Sequence, residues 1–270
     1  MFKRIKAAAR LKLQRALAEV VEERLAQPQQ QAQERHDATV SILTRLADDI
    51  GALARRLDHM EQLARRDISY ALDCGATAQS AAFVVENMAT VPVFGHPHDT
   101  LRYALTKVDV PGLALEFGVA DGTTLTIIAD ALSDDRKVVG FDSFVGLPET
   151  WRTGFPAGMF AVPEPPRIPG ACTVSGLFAD TLPGFLAAHD EPIAFLHIDA
   201  DLYSSAATVL DLTADRLAPG AVVVFDEFFN YPGWQQHEFR AWTEFLARTE
   251  RTAEYLAYTA NNEQVVARLT

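Results

Sequence analysis

Hydrophobic residues recur along this chain in two textures. Over residues 2–25, Phe2, Ile5, Ala9, Leu13, Leu17, Val20 and Val21 fall at spacings of three and four, the period of one helix face. "QPQQQAQ" (27–33) interrupts that face and reads as a linker. A second helix follows, in which Leu43, Leu46, Ile50, Leu53, Leu57 and Met60 alternate at spacings of three and four. This is the seam of a coiled coil, about three heptads long before Asp67 falls on an inward position. Residues 68–90 continue as helix towards the body.

From about residue 91 short apolar runs alternate with helical stretches. The pattern predicts strands at 113–118, 137–142, 171–175, 192–198 and 220–226, and helices at 122–132, 180–188, 203–216 and 235–249. Such alternation predicts a mainly parallel α/β sheet, doubly wound with helices on both faces. Two more strands, 254–258 and 263–268, have no helix between them and predict an antiparallel hairpin at an edge. Residues 151–170, rich in Pro and Gly, are too long for a plain connector and predict a lid over a site. The expected organisation is a helical extension, 1–90, followed by one domain, 91–270.

Charge divides the chain the same way. Residues 1–70 carry 13 Lys/Arg and 10 Asp/Glu; the remaining 200 carry 11 and 26. A body this acidic repels phosphate backbones, so nucleic acid is not an expected partner. The first fifteen residues hold six basic side chains and no acid, giving a basic amphipathic helix. Such a helix can lie peripherally on an anionic membrane, or pack on a partner or on the protein itself. No apolar run is long enough to span a bilayer, and no secretory signal is recognisable. Cys74 and Cys172 lack metal-ligand spacing and read as reduced thiols of a cytoplasmic protein.

Chemistry-bearing residues cluster at predicted strand ends. In "LALEFGVADGTTL" (113–125), Gly118, Ala120 and Gly122 allow a tight turn and close approach of a ligand, and Thr123 opens a helix whose free N–H groups face it. Glu116 would repel a pyrophosphate and attract the ammonium and sulfonium of S-adenosylmethionine. In "VVGFDSFVGLPE" (138–149), Asp142 stands about 20 residues past the glycine loop, where doubly wound folds place an acid on ribose hydroxyls, and Ser143 follows it. Phe178 is placed either to cover an adenine or to pack in the core.

"FLHIDADLYSS" (195–205) and "AVVVFDEFFNYPGW" (221–234) end two further strands in Asp199 and in Asp226-Glu227. Adjacent parallel strands would bring these three carboxylates together, and a shared hard cation such as Mg²⁺ would relieve their repulsion. Asp201 is expected to cap the next helix. His237 is the candidate general base; His96 and His98 are weaker candidates for that role, and His197, inside a strand, reads as a core histidine.

Together "LEFGVADGTTL", "GFDSFVGLPE", "LHIDADLYSS" and "VVVFDEFFNYPGW" resemble the macrocin O-methyltransferase (TylF/MycF-like) family of class I S-adenosylmethionine-dependent methyltransferases, over roughly residues 91–270. The resemblance implies a Rossmann-like seven-stranded sheet and a Mg²⁺ that holds the two oxygens of a sugar diol. The implied metal positions are Asp199, Asp226 and Glu227, with Glu227 replacing the Asp of the sugar-modifying members. The expected function is methyl transfer to a hydroxyl of a sugar, glycan or other small molecule, by a homo-oligomer. Asp199 and His237 are the expected catalytic residues. The alternatives are a nicotinamide-dependent oxidoreductase, for which no Tyr-x-x-x-Lys pair is present, and a non-catalytic scaffold.

Overall fold

The computed structural model describes residues 2–270, and the side chains of these except 2–9, 27 and 29. The chain divides into two compact units, 1–67 and 68–270. The first is a single helix, α1 (Phe2–Arg66). It runs through the segment expected to be a linker, with Pro28 inside it. The correction has a physical basis: Gln and Ala are good helix formers, and Gln30 and Gln33 donate one turn ahead to Glu34 (3.2 Å) and Asp37 (2.8 Å). The proposed seam residues Leu43, Leu46, Ile50, Leu53, Leu57 and Met60 are each more than half exposed. Of the expected basic amphipathic face, Phe2, Lys3, Arg4, Ile5, Lys6 and Ala9 have side chains outside those described. No helix among the described residues is long and apolar enough to cross a membrane.

The second unit begins with α2 (Ile68–Asn87), expected as part of the extension. Ala76 and Ser80 are buried on one face, and Phe83 sets its ring edge-on to Phe239 and Tyr255, 5.5 Å from each. The remaining elements are β1 (Val93–Phe94), α3 (Pro97–Leu105), β2 (Leu113–Phe117), α4 (Thr123–Leu132), β3 (Val138–Asp142), β4 (Ala171–Ser175), α5 (Phe178–Ala188), β5 (Ile193–Ile198), α6 (Tyr203–Thr213), β6 (Leu217–Phe225), α7 (Glu238–Thr249), β7 (Ala253–Thr259) and β8 (Val265–Leu269).

They form one sheet of eight strands, not seven, in the order β1-β7-β8-β6-β5-β2-β3-β4. The extra strand, β1, is two residues long, too short to leave a period in the sequence. The expected hairpin is present, but it is not a plain edge. β8 inserts antiparallel between β6 and β7, and β1 covers β7. All other pairings are parallel. Every residue of β2 and β5 is buried, as helices on both faces require.

The chain winds outward from β2 through β3 to β4, then returns to the other side of β2 with β5 and β6. The strand order therefore reverses between β2 and β5, and a crevice opens there at the strands' carboxyl ends, where such sheets bind ligands.

Candidate active site

A cavity of about 530 Å³ occupies that crevice. β2 delivers its floor. Gly118 has φ 96°, and a Cβ there would overlap the carbonyl oxygen of Asp199, so only glycine allows the two strand ends to meet. Ala120 also lies at positive φ (44°). The turn is held from below by Asp142, which ends β3. One carboxylate oxygen of Asp142 accepts the N–H groups of Val119 and Ala120, both at 2.8 Å, and the other accepts that of Phe144 at 2.7 Å. The carboxylate expected to hold ribose thus also fastens the glycine loop, while still lining the cavity.

Gly118, Ala120, Asp142, Ser143 and Phe178 all line the cavity. Phe178 also packs edge-on to Phe117 with centroids 5.3 Å apart, so it serves core and cavity at once. Three expected cofactor residues do not line it. Thr123 gives both its N–H and its hydroxyl to Asp121 (3.0 and 2.8 Å), an acid with no expected role. Those bonds hold the Asp121 carboxyl below its ordinary pKa. Gly122 lies under Pro166 and Ile168 of the long loop. Glu116 is fully buried, and its Oε1 lies 2.8 Å from His197 Nδ1 instead of facing a ligand.

His197 is therefore more than a packed core residue. Its Nε2 stands 3.8 Å from Asp226, so the ring bridges two carboxylates. Burial works to lower its pKa, but the carboxylates of Asp226 and Glu116 override this and hold it at about 10. Burial, with a smaller push from the Asp226 charge, raises Glu116 against the opposing pull of His197. For Asp226 the balance reverses: burial works to raise its pKa, and His197 brings it below the ordinary value.

β5 and β6 end in register. Asp199 N–H donates to Phe117 O and Asp226 N–H donates to Ile198 O, each at 2.9 Å. This places the carboxylates of Asp199, Asp226 and Glu227 side by side, with one oxygen of each within 4.8 Å of the others. Burial, then mutual repulsion, raises Asp199 and Glu227 well above the usual carboxylate range. Glu227 Oε2 is buried with no hydrogen-bond partner among the described atoms. An all-oxygen donor set with an orphaned carboxylate oxygen fits a hard divalent cation such as Mg²⁺.

Asp201 corrects another expectation. It does not cap α6, whose first turn has no side-chain cap. It sits at φ 58° and lines the cavity, buried, with its pKa pushed up to about 7 by burial and by Asp226. His237 also differs from expectation. Its ring packs behind Trp151 (6.3 Å) and Tyr231 (5.9 Å), does not line the cavity, and is lowered in pKa by burial and by Arg152. His96 instead accepts the His98 N–H at the start of α3.

The long loop closes over the cavity through Trp151, Arg152, Phe155 and Phe160. Arg152 makes a forked pair with Glu263 (3.1–3.2 Å) and lies over the rings of Trp151 (3.9 Å) and Tyr231 (4.4 Å). Glu263 lies between β7 and β8, so the pair ties the loop to that hairpin. Nothing in the sequence around Arg152 signals this contact. The cavity wall carries six carboxylates (Asp142, Asp199, Asp201, Asp226, Glu227 and Glu263) and one cation, Arg152, already paired. This field suits a cationic ligand and opposes a pyrophosphate.

Comparison with known proteins places this cavity in context. Residues 115–228 match the family model of a methyltransferase domain. The 8-demethyl-8-(2,3-dimethoxy-alpha-L-rhamnosyl)-tetracenomycin-C 4'-O-methyltransferase of Streptomyces olivaceus is 30% identical over 157 residues. The match covers 48% of this chain and spans 59%, less than two thirds, of that relative. The calicheamicin methyltransferase CalS11 has the same fold, with a TM-score of 0.52 at 24% identity over 77% of this chain and 89% of its own. The O-methyltransferase NovP matches with a TM-score of 0.50 at 24% identity over 63% of this chain and 78% of its own. Most of the residues that line the cavity thus lie in a segment that matches a methyltransferase domain, and the sheet around it has the fold seen in CalS11 and NovP.

Proposed function

We propose that the protein transfers a methyl group from S-adenosylmethionine to a hydroxyl of a sugar or sugar-bearing natural product, with Mg²⁺ held by Asp199, Asp226 and Glu227. The observation that carries this is the meeting of those three carboxylates with the Gly118 turn in one cavity at the reversal of strand order. The streptomycete relative's name, a rhamnosyl 4'-O-methyltransferase, supports the acceptor class.

S-adenosylmethionine supplies an electrophilic methyl; a new O–C bond forms as the C–S bond breaks, and the sulfur leaves as a neutral thioether. Bound Mg²⁺ would make an acceptor hydroxyl more acidic. The chain's own part is alignment, exclusion of water and proton removal. The Gly118–Ala120 turn, Asp142 and Phe178 hold the cofactor. The wall's negative charge favours its sulfonium. Trp151, Phe155 and Phe160 shield the reacting centre. Since His237 does not line the cavity, Asp201 takes the hydroxyl proton: it is a carboxylate on the cavity wall outside the three-acid cluster. We further propose that the exposed seam of α1 pairs with a second copy of the chain, and that the helix is available for peripheral contact with an anionic membrane.

Calorimetric titration with S-adenosylhomocysteine and with NAD tests the cofactor. Binding of the first and not the second is expected, and no binding of S-adenosylhomocysteine at millimolar concentration would sink the proposal. On a verified acceptor, EDTA and Asp226→Asn should each abolish turnover while S-adenosylhomocysteine still binds. Full activity in excess EDTA would remove the metal from the mechanism.

A further inference from the structure

Glu238 opens α7 and is completely buried. Its Oε1 accepts the N–H of Ala200 at 3.2 Å, and its Oε2 accepts the N–H of Glu227 at 3.1 Å. Ala200 directly follows Asp199 at the end of β5, and Glu227 lies at the end of β6. One carboxylate therefore grips the main chain of both segments that carry the three-acid cluster. Its two oxygens are a fixed distance apart, so it fixes how far apart those segments stand. The main chain of Glu227 is held on its carbonyl side too, where the Tyr231 hydroxyl donates to the Glu227 carbonyl at 3.2 Å.

Packing does not explain an acid here. α7 turns Phe239, Trp242 and Phe245 to the core, and an apolar side chain would fill the site at less cost than a buried carboxylate. The specific gain is the pair of backbone donors, which would otherwise be left unsatisfied.

We propose that Glu238 is a positioning residue: it sets the spacing of Asp199 against Asp226 and Glu227, and through that spacing the affinity of the cluster for a divalent cation. This rests on the cation site proposed above, and the test separates the two. Mn²⁺ serves as the probe, read by electron paramagnetic resonance on the full-length protein, with S-adenosylhomocysteine affinity and melting temperature measured in parallel. In Glu238→Gln one acceptor becomes a donor that faces an N–H, so one strand is released. Mn²⁺ affinity should fall about tenfold or more, the scale of losing a group that orients metal ligands, with S-adenosylhomocysteine affinity unchanged. Tyr231→Phe, a milder change to the main chain of the same residue, should lower Mn²⁺ affinity about fivefold, as for one neutral hydrogen bond, and it decides the matter if Glu238→Gln does not fold. If the parent protein binds no Mn²⁺, the cation site itself is wrong and the inference falls with it. If the parent binds Mn²⁺ and the variants bind it equally well, the cation site stands and the inference is overturned. A parallel loss of Mn²⁺ and S-adenosylhomocysteine binding would also overturn it, by showing a merely structural role.

Discussion

His197 Nδ1 lies 2.8 Å from Glu116 Oε1, and both side chains are shut off from solvent in the centre of the sheet, on β5 and β2. A buried charge pair contributes little compared with an apolar pair of the same shape, but removing one partner strands the other.

His197→Leu should therefore destabilise the protein by about 3–5 kcal/mol, the cost of leaving a buried charge unpaired. The double variant Glu116→Leu/His197→Leu should recover part of that loss in urea unfolding, since the two residues are in direct contact, while Asp226 still lacks the imidazole. Additive losses would mean that the two do not act as a pair. The pH dependence has a fixed sign. The His197 pKa is raised above its unfolded value, so its contribution is complete below about 6.5 and is lost as pH rises through about 10.

Asp142 carries two tasks on one carboxylate, and its replacement should register in both. Asp142→Ala removes bonds to three backbone N–H groups. Unfolding free energy should fall by at least about 1.5 kcal/mol, the lower end for one bond to a charged group. S-adenosylhomocysteine affinity should fall tenfold or more. A variant with the parent's stability and weakened binding would show that the glycine loop does not depend on this carboxylate.

Asp201 has a folded pKa of about 7 against an ordinary value of 3.8. The folded state holds its proton more tightly than the unfolded state, so stability falls as pH rises from about 4 and the penalty is complete above about 7. In EDTA the protein should melt at a lower temperature at pH 8 than at pH 6. Mg²⁺ should stabilise it more at pH 8, where the cluster is more fully ionised. Equal shifts at the two pH values would contradict this placement of Asp201 and its neighbours.

On α1, Ile50 and Leu53 fall on alternate inward positions of the seam, and both are more than half exposed. If the seam pairs copies, Leu53→Lys in the full-length chain should lower the assembly state seen by sedimentation and leave S-adenosylhomocysteine affinity unchanged. The same mass before and after would dismiss the seam as an interface.

The sequence alone carried the repeating strands and helices of the body and the acids at the ends of β3, β5 and β6. A buried parallel strand shows as a short apolar run, and a polar residue just past such a run marks the sheet's carboxyl edge. The glycine turn was legible for the same reason, although only the fold shows that Asp199 O is what excludes a side chain at 118. What a carboxylate or an imidazole faces is decided by residues far away in the chain. Glu116 meets His197 across 81 positions, and Arg152 meets Glu263 across 111. Glu238 reaches Ala200 only because α7 returns to the ends of β5 and β6. No local period encodes such meetings. They removed His237 from the cavity, put Asp201 into it, and supplied Glu238 behind it. The helix through Pro28 and the two-residue β1 escaped for another reason: composition and period describe a segment's own preference, and the helix on either side of one segment and the paired strand beside the other override it.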